Sequence, residues 1–96
     1  MKVDFAHTKK AAQRLRAVNH RLRQNMISFI DQKGETDVTS IYQSLKLEQS
    51  VASEHLAILR KAGIVTTRRD GKYIFYSVND KSIKKLIELC KQMITD

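Results

Sequence analysis

The spacing of apolar residues changes at Gly63, and this change restricts the folds open to the chain. Before Gly63, apolar residues recur every three or four positions, which is typical of amphipathic helices. After it, two short runs are rich in β-branched and aromatic residues, as strands are. A helical pattern then returns. The resulting helices and strands are predicted at about 8–18, 21–32, 38–45, 49–62, 64–68, 73–78 and from 79 or 80 onward.

Boundary signals support this order of elements. Gly34 is placed to end the second helix, and Thr36 or Asp37 can cap the third. Asp70-Gly71 between two strand-like runs is a strong hairpin signal. We predict one mainly α domain over residues 1–96 with a β-hairpin, in the order H-H-H-H-β-β-H. A core this small is thin, so association with a second copy is expected.

The charge balance points to a polyanionic partner. The chain has 18 Lys and Arg against 10 Asp and Glu, a net charge of +8. Residues 1–33 hold eight basic and two acidic residues, a net +6, and residues 68–96 hold seven and four, a net +3. Residues 34–67 hold three and four, a net −1. The alternative interpretation is that the basic helices only aid solubility.

The sequence lacks the motifs of common enzymes. His7, His20 and His55 are scattered, and there is no phosphate-binding glycine loop, nucleophile elbow or paired cysteine motif. We therefore predict that the protein is not an enzyme and has no metal or other cofactor. No apolar run approaches the ~18 residues of a membrane span, and the N-terminus shows no signal-peptide pattern. A cytoplasmic protein is expected.

The third and fourth predicted helices fit a helix-turn-helix, because a short turn joins them and the second opens on small polar residues. On the fourth helix, Ala52, Leu56 and Leu59 lie on one side. The opposite side carries groups that can bond to base edges in a DNA major groove. These predicted base-reading residues are Gln49, Ser50, Ser53 and Glu54. An ordinary solvated polar face is the alternative.

The predicted hairpin carries a cluster of basic residues. Arg68, Arg69 and Lys72 lie at or beside its tip. A hairpin next to a helix-turn-helix can act as a wing that contacts the DNA backbone or the minor groove. The fold predicted is therefore a winged helix-turn-helix.

Two neighbouring segments carry a motif: Gln49-Ser50-Val51-Ala52-Ser53-Glu54-His55-Leu56 and Leu59-Arg60-Lys61-Ala62-Gly63-Ile64-Val65. Together they resemble the recognition-helix signature of ArsR-type regulators. Two further segments are similar to the family. The second helix, with Arg23, Met26 and Ile27, resembles the family's second helix, and the segment from Arg69 to Tyr76 resembles its wing. The likeness spans about residues 20–80. It implies a DNA-binding transcriptional repressor, and it adds His55 to the predicted DNA-binding residues.

The resemblance also implies a homodimer formed by the first and last helices. Both helices carry an apolar stripe, and little chain remains to cover the last one. The predicted interface residues are Ala11, Ala12, Leu15, Val18, Ile83, Leu86, Ile87, Cys90, Met93 and Ile94. The partners predicted are thus double-stranded DNA and a second copy of the chain, with no membrane.

The chain departs from the family pattern in three places. Glu48 precedes the recognition helix, where the family often has the better cap serine. Glu54 stands where a His or a basic residue is common, so it either accepts from a cytosine or implies a different operator. Residues 35–40 contain no cysteine and the last helix no histidine, so the family's metal sites do not transfer. The inducer is left open, and Cys90 is predicted to be a small core hydrophobe.

One rival function remains open from the sequence. The same fold can serve as a protein-interaction module, in which the positive charge is incidental. The polar start of the fourth helix and the basic hairpin favour DNA.

Overall fold

The computed structural model describes residues 5–79 and Ile83, and its helices follow the predicted order. The elements are α1 (Phe5–Val18), α2 (Arg21–Lys33), β1 (Thr36–Asp37), α3 (Val38–Ser44), α4 (Gln49–Lys61), β2 (Val65–Asp70) and β3 (Tyr73–Val78). None of these helices is long and apolar enough to cross a bilayer.

The structure adds a strand that the sequence analysis missed. Thr36 and Asp37 form β1, which pairs antiparallel with Tyr76 and Phe75, so the sheet has the order β1-β3-β2. Two residues are too few to show an alternation of apolar and polar side chains, so this strand has no sequence signal. Of the two predicted caps of α3, Asp37 is the right one, because its Oδ1 accepts from the backbone N–H of Ser40 at 3.1 Å.

The hairpin is longer than predicted. The sequence pattern predicts Arg69 and Asp70 in the turn, but they continue β2 and pair with Ile74 and Tyr73. The loop contains only Gly71 and Lys72. Gly71 has φ +63°, the positive value that a two-residue hairpin turn with glycine in its first position requires. The basic residues therefore lie along the strands as well as at the tip.

The core lies between the helices and one face of the sheet. Its largest fully buried side chains come from α2, α3, α4 and β2 together with the residue before β2: Met26, Ile30, Ile41, Leu56, Leu59, Ile64 and Val65. Full burial of such side chains stabilises the fold by roughly 1.5–3 kcal/mol each. Residues 52, 56 and 59 were expected on the inner side of α4, and the structure confirms this placement.

The C-terminal end of α4 is tied to two distant segments. Arg14 on α1 donates from Nε to the carbonyl of Ala62 at 3.2 Å, and a cation is favourable at this end of a helix. Asn79, just after β3, donates from Nδ2 to the carbonyl of Gly63 at 3.1 Å. The carbonyl of Asn79 accepts from Ile83 N–H at 3.2 Å, as a helix-starting residue does. The rest of the predicted last helix lies outside the described residues.

Candidate nucleic-acid interface

Helix α4 packs against the core through one side of its surface. Ala52, Leu56 and Leu59 are fully buried. They recur at helical spacing, so the side of α4 opposite to them is directed away from the core. The core contacts thus set the direction in which the polar side of α4 projects.

The turn before α4 leaves the start of that helix uncapped by a side chain. Lys46 adopts φ +55°, and Leu47 N–H donates to the carbonyl of Tyr42 at 2.8 Å, which reverses the chain between α3 and α4. Glu48 makes no side-chain capping bond, in agreement with its expected weakness as a cap. The first backbone N–H groups of α4 therefore remain able to bind an anionic oxygen, such as a DNA phosphate.

All four predicted base-reading residues are exposed on α4. They are Gln49, Ser50, Ser53 and Glu54. Gln49, Ser50 and Ser53 fall within about one side of the helix, and Glu54 borders them. The face thus presents an amide, two hydroxyls and a carboxylate, all of which can form hydrogen bonds with base edges. Ala57 continues the exposed face one turn further along, and its small side chain permits close approach.

Arg68 is engaged within the protein. Its Nε donates to Glu35 Oε2 at 3.0 Å and its Nη2 to Glu35 Oε1 at 2.7 Å, and its guanidinium lies 4.9 Å from the centre of the Phe75 ring. This hydrogen-bonded pair lowers the pKa of Glu35 and raises that of Arg68. The pair joins β2 to the segment before β1. The sequence analysis missed Glu35, since no local pattern links residues 33 positions apart.

Arg69 and Lys72 are the exposed cations at the hairpin tip. Arg69 donates from Nε to the carbonyl of Gly71 at 3.2 Å and bonds to no other described residue, and Lys72 Nζ lies 5.6 Å from the Tyr73 ring centre. Two large apolar side chains beside them are also exposed, Tyr73 at 53% and Ile74 at 42%. The tip therefore combines positive charge with an aromatic and an aliphatic side chain. The sequence pattern predicts these two residues to be in a strand but does not indicate that they are exposed.

Comparison with known proteins agrees with this geometry. The family model for bacterial regulatory proteins of the arsR family matches residues 22–67. The chain is 34% identical over 84 residues to an HTH-type transcriptional regulator of Methanocaldococcus jannaschii, a match covering 88% of this chain and 94% of that protein. It is 35% identical over 85 residues to the transcriptional activator HlyU of Vibrio cholerae, covering 88% and 77%. The chain belongs to the ArsR family.

A solved ArsR-like structure extends the agreement to the fold. The transcriptional repressor PagR of Bacillus anthracis superposes with a TM-score of 0.78 at 29% identity, over 91% of this chain and 99% of PagR. This ArsR-family chain is accordingly a sequence-specific DNA-binding transcriptional regulator with a winged helix-turn-helix fold. In it, α3 and α4 form the helix-turn-helix, and β2 and β3 form the wing.

His55 differs from the other α4 residues predicted to bind DNA. Its ring is half-buried and lies 4.9 Å from that of His20, between α1 and α2, at a tilt of 49°. Its Nδ1 is buried without a hydrogen-bond partner among the described residues. His20 itself uses Nδ1 to accept from Leu22 N–H at 3.2 Å. His55 thus packs α4 against the start of α2 and lies away from the exposed polar face of α4.

The surroundings of His55 favour its neutral form. Burial lowers its pKa most, the nearby His20 and Arg23 lower it further, and Glu54 offsets part of the effect. The pKa therefore lies below the ordinary value of 6.5.

We expect the free energy of unfolding to fall as pH is lowered from about 6.5 toward the depressed pKa of His55. In that range the unfolded chain binds a proton at His55 that the folded chain does not. Urea unfolding at a series of pH values measures the slope, and His55→Gln is expected to flatten it. An unchanged slope in this variant would show that His55 is not perturbed in the folded protein.

The predicted dimer residues divide between the chain's own core and its surface. Val18 and Ile83 are only 4% and 6% exposed in the single chain, so they are core residues more than a free apolar surface. Ala12 is exposed and Leu15 is half-buried. The side chain of Ala11, and all of Leu86, Ile87, Cys90, Met93 and Ile94, lie outside what the structure describes.

Proposed function

We propose that two copies of this chain bind an inverted-repeat operator and repress transcription from it. Each copy inserts the start of α4 into a major groove, where Gln49, Ser50, Ser53 and Glu54 contact base edges. The observation that carries this proposal is that α4 has an exposed polar face on one side and fully buried residues, Ala52, Leu56 and Leu59, on another. The core holds that face in one orientation, which base reading requires.

The wing residues have different roles in this proposal. Arg69 and Lys72 contact the DNA backbone or the minor groove, because they are the exposed cations at the tip. Arg68 is already paired with Glu35, so it orients the wing relative to β1. The pair is exposed to solvent, so screening by water leaves it little effect on stability. The role proposed for the Arg68–Glu35 pair is to fix the angle of the wing relative to β1.

Dimerisation is proposed through α1 and the C-terminal segment. Ala12 is exposed on α1 and Leu15 is half-buried against the core, and the apolar residues that follow Ile83 supply a second surface in sequence. Two-fold symmetry then places two reading helices about 34 Å apart, one turn of B-DNA. Repression is proposed because a dimer on an operator blocks access to the DNA, and PagR, with the same fold, is a repressor.

An operator selected from genomic DNA allows the proposal to be tested by titration at several salt concentrations. Arg69→Ala is expected to weaken binding to operator and random duplex about equally and to reduce the salt slope by roughly one unit. Lys9→Ala removes an equal charge from the exposed surface of α1 and is the matched control. The parent protein should saturate at two chains per operator.

Two results would contradict the proposal. If Arg69→Ala left both affinity and salt slope unchanged, the hairpin would not be a DNA-binding wing. If the parent bound no duplex above random sequence, or saturated at one chain per operator, the operator-bound dimer would be wrong.

A further inference from the structure

A cleft lies between α1, α2 and α4, on the flank of the reading helix. Its volume is about 290 Å³. Three cationic side chains line it, one from each helix: Arg16, Arg23 and Lys61. Gln13 adds an amide beside them. The positive groups of three separate elements thus meet around one small space.

The positive charge of this cleft has no counterpart in the part of the chain that the structure describes. No carboxylate lines the cleft there. The Nε of Arg23 is buried and bonds to no described acceptor, although a buried donor without a partner is costly. Arg23 also lies in the first turn of α2, where the helix dipole is positive and a cation is unfavourable. A bound anion would supply the negative charge that these three cations lack among the described residues.

The volume and the lining of the cleft limit the size and chemistry of the ligand. Drug-sized ligands occupy roughly 300–1,000 Å³, so a space of about 290 Å³ suits a small molecule. Ile58, 38% exposed, and Ala62 add apolar side chains to the lining. The lining therefore matches a short hydrocarbon that carries anionic oxygens, either carboxylate or phosphate.

We propose that this cleft binds a small organic anion with at least two negative charges, and that the bound anion lowers the affinity of the protein for DNA. The first half depends only on the cleft. The second half rests on the proposed DNA-binding function. Lys61 and Ile58 belong to α4, whose reading end is about 18 Å from Lys61 at 1.5 Å per residue.

The sign of the coupling follows from charge. A bound dianion cancels part of the net charge of +8 that attracts DNA. By linkage, DNA must weaken binding of the anion by the same factor.

Calorimetry at constant ionic strength with glutarate and with butyl phosphate tests the site and distinguishes the two kinds of anion. We expect saturable one-to-one binding of at least one of them and none of the neutral glutaramide. Arg16→Gln and Lys61→Gln alter exposed side chains and should each weaken it at least fivefold, as should Arg23→Gln. Arg21→Gln, an exposed position two residues before Arg23 and outside the cleft, should leave it unchanged.

DNA titration with and without the bound probe then tests the coupling. The operator Kd should rise at least threefold with the anion in the parent and not in Lys61→Gln. Absence of binding by both probes, or equal binding by the parent and the cleft variants, would overturn the site. If Lys61→Gln or Arg16→Gln instead weakened DNA binding without any anion, the cleft would be a phosphate-backbone contact. Saturable binding with an unchanged operator Kd would remove only the regulatory half.

Discussion

Ser53→Ala and Gln49→Ala are each expected to weaken binding to the operator about tenfold or more, with little change for random duplex. A lost base contact costs on the order of 1–3 kcal/mol at a matched site. Both side chains are exposed on α4, so neither substitution opens the core. Residues 34–67 carry a net charge of −1, so this region adds selectivity more than general attraction. Fluorescence anisotropy with the two duplexes at one salt concentration measures the ratio.

Glu54→Gln separates base reading from charge on the same face. It removes one negative charge near the phosphates, so binding to random duplex should rise while discrimination between the duplexes falls.

Ser44→Ala, at an exposed position at the end of α3, is the matched hydroxyl control for Ser53→Ala and should change neither affinity. If all three α4 variants kept the parent's ratio of operator to random affinity, α4 would not be the reader. A protein-interaction role for the fold would then become the better interpretation.

Leu56→Ala is expected to lower the free energy of unfolding by about 2–5 kcal/mol, because removal of a fully buried leucine leaves a cavity under α4. A domain of this size has few kcal/mol to lose, so the variant is expected to be partly unfolded near 37 °C. Operator binding should weaken in parallel, because α4 loses a core contact that holds it in place. Urea unfolding at fixed protein concentration measures the loss.

Ile58→Ala removes as many carbon atoms from α4 as Leu56→Ala does, and it is the matched control. Ile58 is 38% exposed, so its truncation should cost well below the Leu56 value. Equal losses at the two positions would mean that α4 is not seated as the structure shows. The comparison also separates a general effect of shortening a side chain on α4 from the cavity itself.

The local elements could be derived from the sequence because each rests on residues close together in the chain. The change of spacing at Gly63 separates the helices from the hairpin, and Asp70-Gly71 marks the turn. The same spacing divides α4 into a buried side and a polar side, and the structure confirms that division. The family resemblance also depended on a continuous segment, residues 49–65 above all.

Some features have no local signal. β1 is too short for any periodicity, and Glu35 is joined to Arg68 only because β1 and β2 both flank β3. The environment of His55 depends on His20, which the folding of α2 against α4 brings to 4.9 Å. No spacing in the sequence indicates either contact.

The sequence by itself thus determined the order of the first four helices and the hairpin strands, the polar face of α4 and the family, since periodicity and turn chemistry act within a few residues. Only the tertiary structure decided which predicted residues are free to meet a partner. It placed Arg68 in an ion pair, His55 against α2, and Val18 in the core. It also gathered the cations of the cleft from three helices. The physical reason is that burial and charge pairing depend on contacts between distant segments, which exist only once the chain has folded.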